Sequence, residues 1–164
     1  MNTSPEQSKA VRSAMRELGD KLAQLGFARS RSTFFTRVHG DFVEFFHVHK
    51  YRGALEFRVH CGARALDDTT PHPVLNGPSS DSVVTHFPNP LAPRPRYRFK
   101  FDASPESIRR CVESMFEFCR RTGERWFAKW RREHPPVGRR LSTESADLFK
   151  LDDDEVADSQ GGLR

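Results

Sequence analysis

Residues 46–49 and 55–61 alternate apolar and polar side chains, and period-2 switching is the mark of strands with one dry and one wet face. Segments 33–38, 42–50 and 54–61 are rich in Phe, Val and Thr. With breaks at His39-Gly40-Asp41 and Tyr51-Arg52-Gly53, they predict an antiparallel meander. A tight turn on Arg52-Gly53 would set Val48 opposite Phe57 and Phe46 opposite Val59. One face then carries Phe42, Phe46, Val48, Leu55, Phe57, Val59 and Cys61. The other carries His47, His49, Glu56, Arg58 and His60, with Val43 and Phe45 at its far end. Glu44 falls on the apolar side and is the exception. A slip of one residue would invert every side chain, so the agreement between strands constrains the fold strongly.

Helices flank this meander. Ser4-Pro5-Glu6-Gln7 has an N-cap, Pro at the first helical position and Gln at the third, which is the capping-box arrangement. Val11, Met15, Leu18, Leu22 and Leu25 follow at helical spacing, and Gly26 suits the left-handed residue that closes the helix. Ser104-Pro105-Glu106 repeats the cap logic. Ile108, Cys111, Met115, Cys119 and Trp126 then mark a long amphipathic helix, which Gly123 divides and Pro135-Pro136 ends. Both helices can bury their stripes on the apolar sheet face and leave the other face open. The expected architecture is a two-layer α+β domain over residues 1–132, with an antiparallel sheet and an N-terminal and a long C-terminal helix packed on one face.

Two segments stand outside this plan. Residues 64–95 hold seven of the eleven prolines and read as a long loop or insert, with a short strand expected only near residues 82–87. Residues 133–164 read as an acidic, flexible tail, with a short helix expected near residues 142–151. Charge divides the same way. Residues 1–132 carry 23 Lys and Arg against 14 Asp and Glu, whereas residues 133–164 carry 4 against 8. A basic body with an acidic tail points to an anionic partner or to a tail that screens the body.

The most regular pattern in the chain lies at residues 94–101. Arg94, Arg96, Arg98 and Lys100 alternate with Pro95, Tyr97, Phe99 and Phe101. On a strand this sets four cations on one face about 6.6 Å apart, with aromatics on the other. If Tyr97, Phe99 and Phe101 turn inward, the cations join His47, His49 and Arg58 on the open face. Guanidinium groups pair bidentately with carboxylates and phosphates, so this surface suits an anionic partner. Sheet-face RNA readers turn aromatics outward for stacking; here only Phe45 and Phe35 are candidates for that role. A charged edge strand that discourages edge-to-edge aggregation is the plainer alternative.

Other chemistries find less support. His47, His49 and His60 near Glu56 have the donor types of a metal site, but strand alternation spaces them about 6 to 7 Å apart and Arg58 adds positive charge, so no metal or cofactor is expected. No GxSxG, HExxH, Walker or dinucleotide fingerprint is present, and nothing in the sequence asks for an enzyme. Cys61, Cys111 and Cys119 form no CxxC pair and read as reduced core thiols. No apolar run reaches the roughly 18 residues of a membrane span, and Met1-Asn2-Thr3-Ser4-Pro5 lacks a secretory pattern. A cytoplasmic location without membrane contact is expected.

Several short motifs resemble the bacterial family known as domain of unknown function 4304. They are a first helix ending in Leu25-Gly26-Phe27, a Thr33-Phe34-Phe35-Thr36-Arg37 strand, a strand closing with Phe46-His47-Val48-His49-Lys50, a Phe57-Arg58-Val59 strand and Trp126-Phe127 in the last helix. His47 stands where relatives tend to have Gln, and the Pro-rich insert and acidic tail are further departures. The resemblance implies an α+β fold and supplies no catalytic residues. Small bacterial α+β proteins of this kind often act as immunity proteins that occlude a toxin. The expectation is a non-enzymatic binding protein for an anionic protein partner. Arg94, Arg96, Arg98 and Lys100 would steer and pair, while His47, His49, Glu56 and Arg58 set register. A nucleic-acid-binding module using the same cationic strand is the alternative.

Overall fold

In the computed structural model, residues 4–51, 55–81 and 99–134 are described. Helix α1 (Pro5–Leu22) begins at the expected box: Gln7 N–H donates to Ser4 Oγ at 3.2 Å and Ser4 N–H donates to Gln7 Oε1 at 3.1 Å. A 3₁₀ turn (Ala23–Leu25) tightens its end, and Gly26 closes it at φ 82°. Ala10, Ala14, Met15, Leu18 and Leu22 form the buried stripe.

Five antiparallel strands follow in sequential order: β1 (Ala28–Arg29), β2 (Phe34–His39), β3 (Phe42–Lys50), β4 (Glu56–Ala65) and β5 (Phe99–Lys100). His39 pairs with Phe42 across Gly40, whose φ of 58° fits a two-residue hairpin turn with glycine first. Between β3 and β4 the observed register sets Val48 opposite Val59 and Phe46 opposite Cys61, not opposite Phe57 and Val59 as the sequence predicts. The connection is longer than a two-residue turn, because Tyr51 N–H still donates to Glu56 O at 3.1 Å. The shift is even, so every side chain keeps its predicted face.

β4 also runs past Cys61 to Ala65, into the segment expected to be loop. Part of that segment behaves as a strand substitute. Cys61 N–H donates to Pro78 O, Gly77 N–H to Cys61 O and Ser80 N–H to Val59 O. The Asn76 amide completes the row, accepting from Ala63 N–H at 3.0 Å and donating to Ala63 O at 2.9 Å. β5 covers the first residues of the same edge, pairing Lys100 with Glu56 and Phe99 with Phe57. The outer edge of β4 therefore has partners along most of its length, as a buried backbone requires.

The C-terminal helix comprises α2 (Pro105–Phe118), one π turn (Cys119–Gly123) and α3 (Glu124–Glu133). Ser104 caps it by accepting from Ser107 N–H. The dividing point predicted at Gly123 is this π turn. A Cβ at Gly123 would overlap the Phe46 ring, so glycine allows the helix to lie close on β3. Phe46 packs against Phe27 in a tilted contact and against Phe127 edge to face, at centroid distances of 4.7 and 5.2 Å. Phe46 and Phe127 are fully buried, each contributing about 1.5–3 kcal/mol through apolar burial.

Glu44, the exception on the apolar face, is also fully buried. It accepts from Arg37 Nε at 2.9 Å and from Arg131 Nη1 of α3. Arg37 also pairs with Glu124 at 3.0 Å, donates to Leu25 O at 2.6 Å and lies 4.3 Å from the Phe27 ring centre. This ion cluster fastens α3 to β2 and β3. The result is an antiparallel five-stranded sheet with an N-terminal and a longer C-terminal helix, an α+β fold.

Candidate interaction face

The face of the sheet away from the helices gathers most of the predicted site. Register places His47 opposite His60, His49 opposite Arg58, Phe45 opposite Gly62 and Glu56 opposite Lys100. Alternation at the described end of the cationic strand is as predicted: Phe99 and Phe101 are buried in the core, and Lys100 is exposed on the other side. Arg94, Arg96 and Arg98 lie outside the described residues, as do the segments near residues 82–87 and 142–151.

The sequence leaves this face open, with its polar side chains in solvent, but in the structure His47, Glu56 and His60 are buried at 7%, 6% and 8% exposure. His49 and Arg58 are half-buried. Part of the cause is local. Phe34 of β2 lies against His47 with ring centres 4.4 Å apart, and Phe45 stands 5.9 Å from Phe34. The Phe45 ring lies over Gly62, where any Cβ would overlap it. Of the two candidates for outward stacking, Phe45 is fully buried on this face, and Phe35 faces the helices and is fully buried there; Phe34 occupies this face beside Phe45.

Three imidazoles meet here. His47 stands 6.0 Å from His60 and 6.3 Å from His49, centre to centre. Nδ1 of His47 and Nε2 of His60 are buried without a hydrogen-bond partner among the described residues. Burial, followed by the charges of His60, His49 and Arg58, pushes the His47 pKa down to about 3. Burial and Arg58 likewise lower His60 to about 4, against the opposing pull of Asp81. His49 is lowered for the same first two reasons. These groups are neutral at ordinary pH and form the floor of the face, not its charge.

Beside them is a polar bracket that the sequence did not reveal. Asp81 accepts from Tyr51 Oη at 2.9 Å and from Ser79 Oγ, and it pairs with Arg58 at 3.4 Å. Burial opposes its charge, yet the bonds from Ser79 and Tyr51 and the Arg58 cation hold its carboxyl below the usual range. The Arg58 guanidinium lies 5.5 Å from the Tyr51 ring centre. The only sequence signal for Asp81 is its place in the Pro-rich segment, which names no partner.

Among the described residues, no group of three His, Cys, Asp or Glu is placed to hold a metal ion. All three thiols are buried, and burial raises each pKa, that of Cys111 to about 12; this disfavours the nucleophilic thiolate. No described helix is long and apolar enough to cross a membrane. The class defined by fold and face is a two-layer α+β domain with a neutral histidine floor beside an exposed lysine. No protein-family model, curated protein or solved structure matches this chain.

Proposed function

We propose that this chain is a non-enzymatic binding protein that holds an anionic protein partner at the Lys100 side of its second sheet face, in the manner of a toxin-neutralising immunity protein acting in the cytoplasm. The observation that carries this reading is the alternation at the end of the cationic strand, where Phe99 and Phe101 enter the core and Lys100 projects opposite Glu56. Arg94, Arg96 and Arg98 share its sequence parity. Arg58 and His49 would adjoin the contact, while His47 and Glu56 support it from below. Such a protein works by steric occlusion, and the cations raise the association rate by steering. Phe34 and Phe45, the rings a nucleic acid would stack on, are buried, which favours a protein over RNA or DNA.

The test is capture from host lysate by the tagged chain, with and without nuclease, eluted by rising salt. It is run beside a chain carrying Arg96→Glu and Arg98→Glu. The expected result is one acidic protein that survives nuclease and moderate salt and is lost from the charge-reversed chain, whose unfolding midpoint is unchanged. Capture that vanishes with nuclease, or that persists on the reversed chain, overturns the proposal.

A further inference from the structure

A concavity lies at the opposite end of β4, nine residues from Glu56 and hence roughly 30 Å from the Lys100 contact. Its volume is about 320 Å³, at the small end of the range for ligand sites. Phe42, Ala63, Ala65, Val74 and Trp130 give it apolar walls. Val74 is 52% exposed, an unusual position for a large aliphatic side chain among the described residues. Trp130 is held from several directions. It stacks on His134 at 3.5 Å and on Trp126 at 5.6 Å, and its neighbour Arg131 is tied to buried Glu44. The aromatic wall is therefore rigid before any ligand arrives, which lowers the ordering cost of binding.

The charged lining differs from the basic body around it. Asp67 and Asp68 both line the concavity. Asp68 is held in place by Thr70 N–H at 2.9 Å and by the Thr70 hydroxyl. Asp67 is exposed and makes no ion pair or side-chain hydrogen bond among the described residues. Arg64, the arginine of the lining, is buried and donates to Thr70 O at 2.6 Å. An exposed carboxylate thus stands beside an apolar, tryptophan-walled hollow. An ammonium group joined to an apolar body complements both features, through Coulomb attraction at the carboxylate and apolar contact with Trp130, Phe42 and Val74.

We propose that this concavity is a binding site for a small arylalkylammonium ligand, with Asp67 receiving the ammonium and Trp130, Phe42 and Val74 enclosing the apolar part. The site is separate from the proposed partner contact, and neither depends on the other.

Phenethylammonium is the probe, with 3-phenylpropionate as its anionic counterpart of similar shape. Both are titrated into the full chain by calorimetry and by tryptophan emission, since Trp126 and Trp130 are the only tryptophans in the sequence. The expected result is saturable binding of the amine and binding of the carboxylate at least about tenfold weaker. Asp67→Asn, at an exposed position, weakens the amine roughly three- to tenfold without moving the unfolding midpoint. Ala65→Leu, which fills the hollow, abolishes binding. No saturable binding, equal binding of the two probes, or full binding by either variant overturns the proposal.

Discussion

The two faces of the sheet bury polar groups in opposite ways. On the helix-packed face, Glu44 is fully buried as an ion and surrounded by donors from Arg37 and Arg131. On the second face, His47 and His60 are almost as deeply buried, but each leaves a ring nitrogen without a partner among the described residues and stays neutral. A buried charge is tolerable only when paired, whereas an imidazole can escape the cost by losing its proton. The first face is thereby locked, and the second keeps polar groups whose bonding capacity is unused.

The largest expected effect breaks the locked side. Glu44→Ala leaves two guanidinium groups facing each other without their shared carboxylate, and it should cost about 3–5 kcal/mol in urea denaturation. A loss below about 1 kcal/mol would mean that the cluster does not fasten α3 to the sheet.

Acid should attack the other side. His47 and His60 have folded values of about 3 and 4 against an ordinary 6.5, so below pH 6.5 the unfolded chain binds protons that the folded chain refuses. Stability is full above pH 6.5 and falls as the pH drops toward 4 and then 3, by on the order of several kcal/mol in total. Unfolding midpoints measured from pH 7 to pH 4 check this; a flat profile over that window contradicts it. Gly62→Ala is expected to cost about 1–3 kcal/mol, because its Cβ displaces the Phe45 ring from the second face. The smallest change sharpens the contrast most. His47→Phe removes an unpartnered nitrogen and extends the Phe34 stack, so stability at pH 7 should shift by less than about 1 kcal/mol. The same variant should lose part of the acid sensitivity.

Local signals were legible in the sequence, and long-range ones were not. The cap at Ser4, Pro5 and Gln7 and the left-handed Gly26 lie within a few residues of what they control, and both appear as read. The faces of β3 and β4 were legible for the same reason, although the register shifted by two because the Tyr51–Leu55 connection is longer than a tight turn. Glu44 stood out as an anomaly, but its partner Arg131 lies 87 residues away, and alternation in one strand carries no information about that distance. Phe34-Phe35 gave β2 two adjacent aromatics, so its parity was ambiguous, and Phe34 proved to be the ring that helps bury His47. Residues 76–80 read as turns because Asn, Gly and Pro dominate them. Their pairing with β4 runs partly through the Asn76 side chain, which has no strand signature.

The histidine floor is the point on which the contrast between the faces depends, and it can be observed one residue at a time. A pH titration of the imidazole nitrogens by NMR, assigned with His47→Phe and a matching His60 variant, reads each protonation state directly. In the folded protein His47 and His60 should stay neutral through pH 5, with protonation setting in only toward pH 4 and 3. Protonation of either ring near pH 6.5 in the folded protein would place it in solvent and contradict a buried, neutral histidine floor.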